Sequence, residues 1–256
     1  MKNFHDEMQL ALSMVAEAGK LILPYFQTSL QVISKADQSP VTIADQKSEE
    51  LLRSLMQKHT PTYGIIGEEF GTQTGSEDRQ WVVDPIDGTK AFIHGVPLFG
   101  TLLALLEHGK PVLGVVALPA LGHVLAASLG NGAMLDGKPC HVSTVNKIEE
   151  ALILDGSGTT MERLGYGNGW AILRRKAKLH RGWGDCYGHF LVATGRAEVM
   201  ADPIVSIWDV APFGIILPEA GGKFSAFSGN DSINEQSGIS SNGIFHEGIV
   251  KGLIKD

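Results

Sequence analysis

The stretch Trp81-Val82-Val83-Asp84-Pro85-Ile86-Asp87-Gly88-Thr89 constrains this chain more than any other. Its three apolar residues predict a short buried strand. Pro85 lacks an N–H and restricts the residue before it, so the strand is predicted to stop at Asp84. Asp87-Gly88 is a turn dipeptide, and Gly88-Thr89 opens a helix whose free N–H groups face both aspartates. Two anionic oxygen ligands then stand beside an anion cradle, which is what a divalent cation bridging protein to phosphate requires. The proline-fixed turn also aims the Ile86 carbonyl into that space, and hard cations such as Mg2+ take carboxylate, carbonyl and water oxygens. An isolated Asp-x-x-Asp-Gly is in itself an ordinary solvated turn, so the rest of the chain decides between the two readings.

Tyr63-Gly64-Ile65-Ile66 is a second apolar run ending in acid, at Gly67-Glu68-Glu69, and Trp208-Asp209 sets a third acidic site in apolar surroundings. Lys35-Ala36-Asp37-Gln38-Ser39-Pro40-Val41-Thr42-Ile43-Ala44-Asp45 adds a fourth segment. Read alone, Asp45 is an acid in the first turn of a helix capped by Thr42, a common complement to the helix dipole. Together the four segments resemble the inositol monophosphatase family of Mg2+-dependent, Li+-sensitive phosphomonoesterases, in the family's order and over nearly the whole chain.

Hydrolysis of a phosphate monoester needs charge neutralisation, an in-line water and stabilisation of the leaving alkoxide, which two adjacent cations can supply together. The resemblance implies that Glu68, Asp84 and the Ile86 carbonyl hold the ion that activates water. It implies that Asp84, Asp87 and Asp209 hold the ion facing the leaving group. A third, weaker ion near Glu68 would make two or three Mg2+ per site, with Li+ as an inhibitor. Thr89 hydrogen-bonded to Asp45 would orient the water and take its proton, and the N–H groups of Gly88 and Thr89 would cradle the phosphate. No Ser or Cys nucleophile signature is present.

At 256 residues and 27.4 kDa the chain is large enough to bury roughly 70–75 % of its unfolded surface. With 43 % hydrophobic and 19 % charged residues, it is an ordinary globular composition rather than a disordered one. The longest apolar runs break well short of a membrane span, and the N-terminus lacks a basic region followed by an apolar core. Cys140 and Cys186 lie far apart in sequence and predict no disulfide framework, so the expected location is the cytoplasm. A net charge of −7 excludes nucleic acid as an expected partner, and Arg174-Arg175-Lys176-Ala177-Lys178 reads as a solvated helix end. An acidic protein that binds phosphate needs cations to reverse the local sign.

Along the chain, apolar spacing predicts a helix from Asp6 to Phe26, irregular at Pro24, then a short strand at Val32-Ile33-Ser34 and a helix from about Ile43 to Lys58. Residues 71–79 are expected to form a loop, mobile until metal binds. Strands at 101–106, 112–117 and 123–127 predict an antiparallel meander, with at least one strand covered on both faces, and Asn131-Gly132 and Asp136-Gly137 add hairpin turns.

The pattern changes around Ser143 to Glu150, so residues 1–143 are expected to form an N-terminal α+β domain carrying most metal ligands, and 144–256 an α/β domain completing the site. The second half alternates: strands at 151–154, 178–182 and 197–201, and helices near 159–164, 169–177, 186–194 and 208–220. In the last helix, one of Pro212 and Pro218 is expected in the first turn and the other near the end. The resemblance implies the family's layered α/β fold, a five-layer α-β-α-β-α sandwich, and commonly a homodimer.

Gly182-Trp183-Gly184-Asp185-Cys186-Tyr187-Gly188 occupies the place where inositol-preferring members carry small or hydroxyl residues. Asp185, with Asp202 seven residues before Asp209, predicts extra negative charge around the alcohol half of the substrate. Carboxylates gain more from a desolvated ammonium or imidazolium than from a hydroxyl. Gly184-Asp185-Cys186-Tyr187 looks like the family's histidinol-phosphate phosphatase branch, which acts in histidine biosynthesis, so the expected substrate is L-histidinol phosphate. Gly184, Asp185 and Asp202 are the expected substrate contacts, along with Asp87, Gly88, Thr89 and Asp209.

Inositol 1-phosphate or a sugar phosphate such as fructose 1,6-bisphosphate remains an alternative substrate, and a silent metal-dependent sensor is the alternative outside enzymes. The histidines show no zinc-ligand spacing and are expected at the surface or behind the ligands. Cys186 is expected to be packing, and Glu69 stays outside the site.

Overall fold

The computed structural model describes residues 4–29, 32–34 and 40–253. Residues 35–39 of the first family segment lie outside the described residues, as do residues 1–3. Helix α1 (His5–Ile22) buries Ala11, Met14, Val15, Ala18 and Ile22 on one face, the face its apolar spacing defines. It then tightens into a 3-10 turn over Leu23–Tyr25, where Pro24 cannot continue the ladder. Strands β1 (Val32–Ser34) and β2 (Pro40–Thr42) pair antiparallel, and Thr42 caps α2 (Ile43–His59).

Strands β3 (Gly64–Gly67), β4 (Gly71–Gln73) and β5 (Arg79–Asp87) come next, followed by the short helix α3 (Thr89–Ile93). The meander is β6 (Gly100–Glu107), β7 (Lys110–Leu118), β8 (His123–Ser128), β9 (Ala133–Leu135) and β10 (Lys138–Cys140). All eight of β3–β10 form one sheet, ordered β10-β9-β8-β7-β6-β5-β3-β4, in which β3 and β5 are parallel.

Two expectations are corrected here. Strand β5 does not stop at Asp84 but runs through Pro85 to Asp87. Asp84 faces Leu102 and Asp87 faces Gly100, so β5 carries one residue more than β6 over this interval. A bulge absorbs the missing Pro85 N–H, and Thr101 Oγ1 donates to the Pro85 carbonyl at 2.9 Å. Residues 71–79, expected as a loop, begin with β4, which closes the sheet edge against β3.

The second half holds β11 (Leu152–Asp155), α4 (Gly158–Arg163), α5 (Gly167–Lys176), β12 (Leu179–Arg181), α6 (Asp185–Ala193) and β13 (Val199–Asp202). Helix α7 (Ile207–Glu219), β14 (Lys223–Ser225), β15 (Gly238–Ser241) and α8 (His246–Gly252) complete it. The five strands are ordered β12-β11-β13-β15-β14, with β11 parallel to both β12 and β13. Pro218 lies near the end of α7 as expected, but Pro212 sits inside the helix, past its first turn. Pro212 faces β7, where a Cβ on Gly114 would lie 2.6 Å from its carbonyl oxygen.

Helices α1 and α2 cover one face of the larger sheet through Trp81, Val83, Leu103, Leu105 and Val115. Val82, Leu102, Ala104 and Val116 point to the other face and meet α6 and α7. The central strands are therefore buried on both sides, which is why they read as unbroken apolar runs. Beyond α6 and α7 lies the smaller sheet, whose outer face packs Ile153, Val199 and Ile239 against Met161, Trp170 and Ile249 of α4, α5 and α8. The stack is a five-layer α-β-α-β-α sandwich. Each large side chain buried in it contributes about 1.5–3 kcal/mol.

Candidate metal and catalytic site

The expected site residues gather where the parallel strands end. Glu68 follows β3, Asp84 and Asp87 close β5, and Asp202 closes β13. Strand ends of parallel pairs leave a crevice that neighbouring connections can line. Into this crevice project the first turns of α2, α3, α6 and α7, bringing Asp45, Thr89, Asp185 and Asp209.

Asp84, Asp87 and Asp209 each offer a carboxylate oxygen, and these three atoms lie within 4.8 Å of one another. Asp84 Oδ1 accepts from the Ile86 N–H at 3.0 Å, a local turn that fixes the Asp84 side chain. Asp87 Oδ2 accepts from the Cys186 N–H in the first turn of α6. Gly184, the N-cap of that helix, has no side chain to do so, and Asp87 supplies the acceptor from another element. Asp209 Oδ2 accepts from the Ser206 N–H at 2.7 Å, as the acid of a capping box. Glu68 lies close enough to Asp84 for its charge to raise the Asp84 pKa.

Asp45 is held the same way as Asp209. Its Oδ2 accepts from the Thr42 N–H at 2.8 Å and the Thr42 hydroxyl at 2.6 Å, closing the capping box of α2. Oδ1 remains for Thr89 Oγ1, 3.3 Å away, and the same hydroxyl lies 3.0 Å from the Ile86 carbonyl. Gly88 reaches α3 in the left-handed region, φ +81°, which glycine adopts freely.

Burial raises the pKa of Asp84 and Asp87 well above the carboxylate range, and neighbouring acids push in the same direction: Glu68 for Asp84 and Asp185 for Asp87. Asp209 rises to about 7, chiefly by burial, with Glu68 adding to it. Asp45 rises for the same main reason, against the lowering bonds from Thr42. Crowded carboxylates of one sign avoid this cost when a cation lies among them. The donor set is entirely oxygen, which fits a hard divalent ion such as Mg2+.

A cavity of about 40 Å³ is lined by Asp87 and Asp209 of this cluster together with Asp185, Asp202 and His189. Asp185 opens α6 at φ +53°, a left-handed position unusual for a residue with a side chain. It is exposed as a residue, yet enough protein surrounds its carboxylate to raise its pKa, against the lowering pull of Lys90. Asp202 rises to about 8 through burial and the nearby Asp185. Gly184 lets two backbones meet, since a Cβ there would lie 2.4 Å from Gly156 Cα. Asp155 anchors that end of β11 by accepting from Trp170 Nε1 and pairing with His180 Nε2 at 2.9 Å.

His189 is a residue that sequence reasoning missed. It lies on the buried side of α6, its Nδ1 is 2.7 Å from Ser240 Oγ, and burial pushes its pKa down to about 3. Its spacing of four from Asp185 is the signal that could have placed both on one helix face. His94 is exposed, as expected, and Cys140 and Cys186 are free thiols. The basic run ends α5, where positive charge suits the helix dipole. A larger, mainly apolar groove of about 570 Å³ between α1 and β8–β9 shares no residue with these acids.

The inositol monophosphatase family model matches residues 5–255. The chain belongs to that family. It is similar to the histidinol-phosphatase of Chlorobaculum parvum, 44 % identical over 91 % of this chain and 90 % of that one. It is also similar to the histidinol-phosphatase of Mycobacterium tuberculosis, 37 % identical over 97 % and 98 %. Among solved structures, the IMPase of Thermotoga maritima superposes with a TM-score of 0.88 at 31 % identity, covering 97 % of this chain and 96 % of that one. This member of the family is a phosphoric monoester hydrolase, and the family is metal-dependent. Among the described residues, no helix is long and apolar enough to cross a membrane.

Proposed function

We propose that this phosphatase hydrolyses L-histidinol phosphate to L-histidinol and phosphate, with Mg2+ as cofactor. The observation that carries this reading is the acidic cavity beside Asp87. Asp185 and Asp202 line it together with Asp87, Asp209 and His189, so two further acids stand directly beside those of the second ion, where the alcohol half of the substrate leaves. Its acids favour a cationic alcohol over a neutral polyol. The names of the two histidinol-phosphatase relatives point the same way.

In this reading Glu68, Asp84 and the Ile86 carbonyl hold one ion. Asp84, Asp87 and Asp209 hold a second, and a weaker third near Glu68 completes the set, with Li+ competing as an inhibitor. Bound Mg2+ supplies positive charge against the phosphoryl oxygens and acidifies the attacking water. Thr89 Oγ1 orients that water and passes its proton to Asp45 Oδ1, whose raised pKa suits a proton acceptor. The N–H groups of Gly88 and Thr89 would cradle the phosphate, and Gly184, Asp185 and Asp202 would contact the alcohol. Residues 1–143 are assigned as the domain carrying most metal ligands, and 144–256 as the one completing the pocket. The chain is assigned to the cytoplasm as a homodimer, with no nucleic-acid partner.

A phosphate-release screen with Mg2+ or EDTA, across L-histidinol phosphate, inositol 1-phosphate and fructose 1,6-bisphosphate, tests the assignment. Histidinol phosphate should have the highest kcat/KM, and EDTA should abolish release. A higher kcat/KM for either other ester refutes the substrate, and release unaffected by EDTA refutes the cofactor.

A further inference from the structure

Glu68 stands at the first position of a three-residue hairpin turn, Glu68-Glu69-Phe70, between the paired Gly67 and Gly71. Short turns leave N–H groups that need acceptors. Here a fully buried side chain of α2 provides them. Glu49 Oε2 accepts from the Glu69 N–H at 2.7 Å, and Glu49 Oε1 accepts from the Phe70 N–H at 3.2 Å.

Arg53, one helical turn further along α2, donates from Nε to Glu49 Oε1 at 2.8 Å and from Nη2 to the Gly71 carbonyl. Its guanidinium also lies 6.0 Å from the centre of the Phe70 ring. Gly67 makes room for this clamp. A Cβ there would lie 2.1 Å from Glu49 Oε1 and 2.7 Å from an Arg53 nitrogen, and Gly67 has no positive φ that would call for glycine on conformational grounds.

Glu68 faces Asp84 closely enough to raise its pKa, and like charges so placed repel each other. We propose that Glu49 is a positioning residue for Glu68, and that with Arg53 it sets the cation affinity of the site by holding the turn against that repulsion. Glu49 and Asp45 are one helical turn apart, so α2 fixes both the Glu68 end of the site and the Thr89–Asp45 pair. The inference rests on the reading of Glu68 as a metal ligand.

The test measures Mn2+ binding to the metal-free chain by electron paramagnetic resonance, alongside the Mg2+ half-saturation of phosphate release, for wild type, Glu49→Gln, Gly67→Ala and Glu68→Ala. Glu49→Gln keeps the shape but turns one acceptor into a donor. It should weaken Mn2+ binding about 10-fold or more and raise the Mg2+ half-saturation in parallel, the usual scale for partners behind a ligand. Its kcat at saturating Mg2+ should stay within about threefold of wild type. Gly67→Ala, which displaces the same clamp, should show the same shift and decides the question if Glu49→Gln does not fold. A folded variant that melts earlier but binds Mn2+ as wild type does overturns the inference. Glu68→Ala separates the two levels. If it leaves Mn2+ affinity unchanged, the ligand reading itself fails. If it weakens binding while the clamp variants do not, only the positioning role fails.

Discussion

Thr89 Oγ1 lies 3.3 Å from Asp45 Oδ1 and 3.0 Å from the Ile86 carbonyl, so one hydroxyl joins the start of α3, the start of α2 and the bulged end of β5. All three elements are anchored in the larger sheet and its helical cover, which fixes the hydroxyl between the Asp45 carboxylate and the Ile86 carbonyl.

If this pair handles the proton, Thr89→Ala and Asp45→Asn should each lower kcat by about 10²–10⁴-fold, the range for a positioned acid or base. The double variant should be little worse than either single, because the two residues act as a unit. Mn2+ affinity should hardly move. Steady-state kinetics with a parallel metal titration would reveal multiplicative losses or a collapse of affinity, and either contradicts the role.

Asp84 is buried against Glu68, Asp87 and Asp209. Without metal, Asp84→Asn should therefore raise the melting temperature, chiefly by removing the cost of burying a carboxylate and with it part of the like-charge repulsion. The same change should abolish the rise in Tm that Mg2+ gives the wild type, since stabilisation by a ligand needs its binding site. Differential scanning calorimetry with EDTA or Mg2+ tests both halves.

The pH dependence follows from the raised pKa values of Asp209, about 7, and Asp202, about 8, against an ordinary 3.8. Above the ordinary value the folded chain binds more protons than the unfolded one, so stability falls as pH rises. The contribution of these groups is complete below the ordinary value and is lost as pH climbs through about 7 to 8. Metal-free Tm should thus drop across this window, while the stabilisation added by Mg2+ grows. A metal-free Tm that rises across the same window contradicts the assignment.

Gly114 on β7 and Pro212 in α7 define how closely the middle helices approach the larger sheet. Gly114→Ala should cost about 1–3 kcal/mol, as overpacking does. For a chain of this size that is roughly 2–4 °C of Tm per kcal/mol. Mn2+ affinity should be unchanged, and a calorimetric Tm equal to wild type would show that the contact yields.

Much of this architecture was legible in the sequence where a short segment carries its own physics. Apolar runs ending in acid marked β3 and β5, and Thr42 with Asp45 marked the start of α2. Ser206-Ile207-Trp208-Asp209 has the same capping-box form and could have fixed the start of α7. The reach of β5 past Pro85 was not legible, because a bulge opposite Thr101 depends on a distant strand. Strands β14 and β15 gave no apolar alternation to read. Their buried positions include Ser225, Ser240 and Ser241, satisfied by His246 and His189 rather than by hydrophobic contact. Glu49 looked like any helical acid until the turn it holds was seen.

The acids beside the metal corner are read as the seat of a cationic alcohol. The most direct test is the ratio of kcat/KM for L-histidinol phosphate to that for inositol 1-phosphate, measured in the wild type and in Asp185→Ala. The account predicts a ratio above one in the wild type and a fall of about 10-fold or more in the variant, as expected when a charged partner is removed. A wild-type ratio below one, or equal loss on both esters in Asp185→Ala, would contradict it.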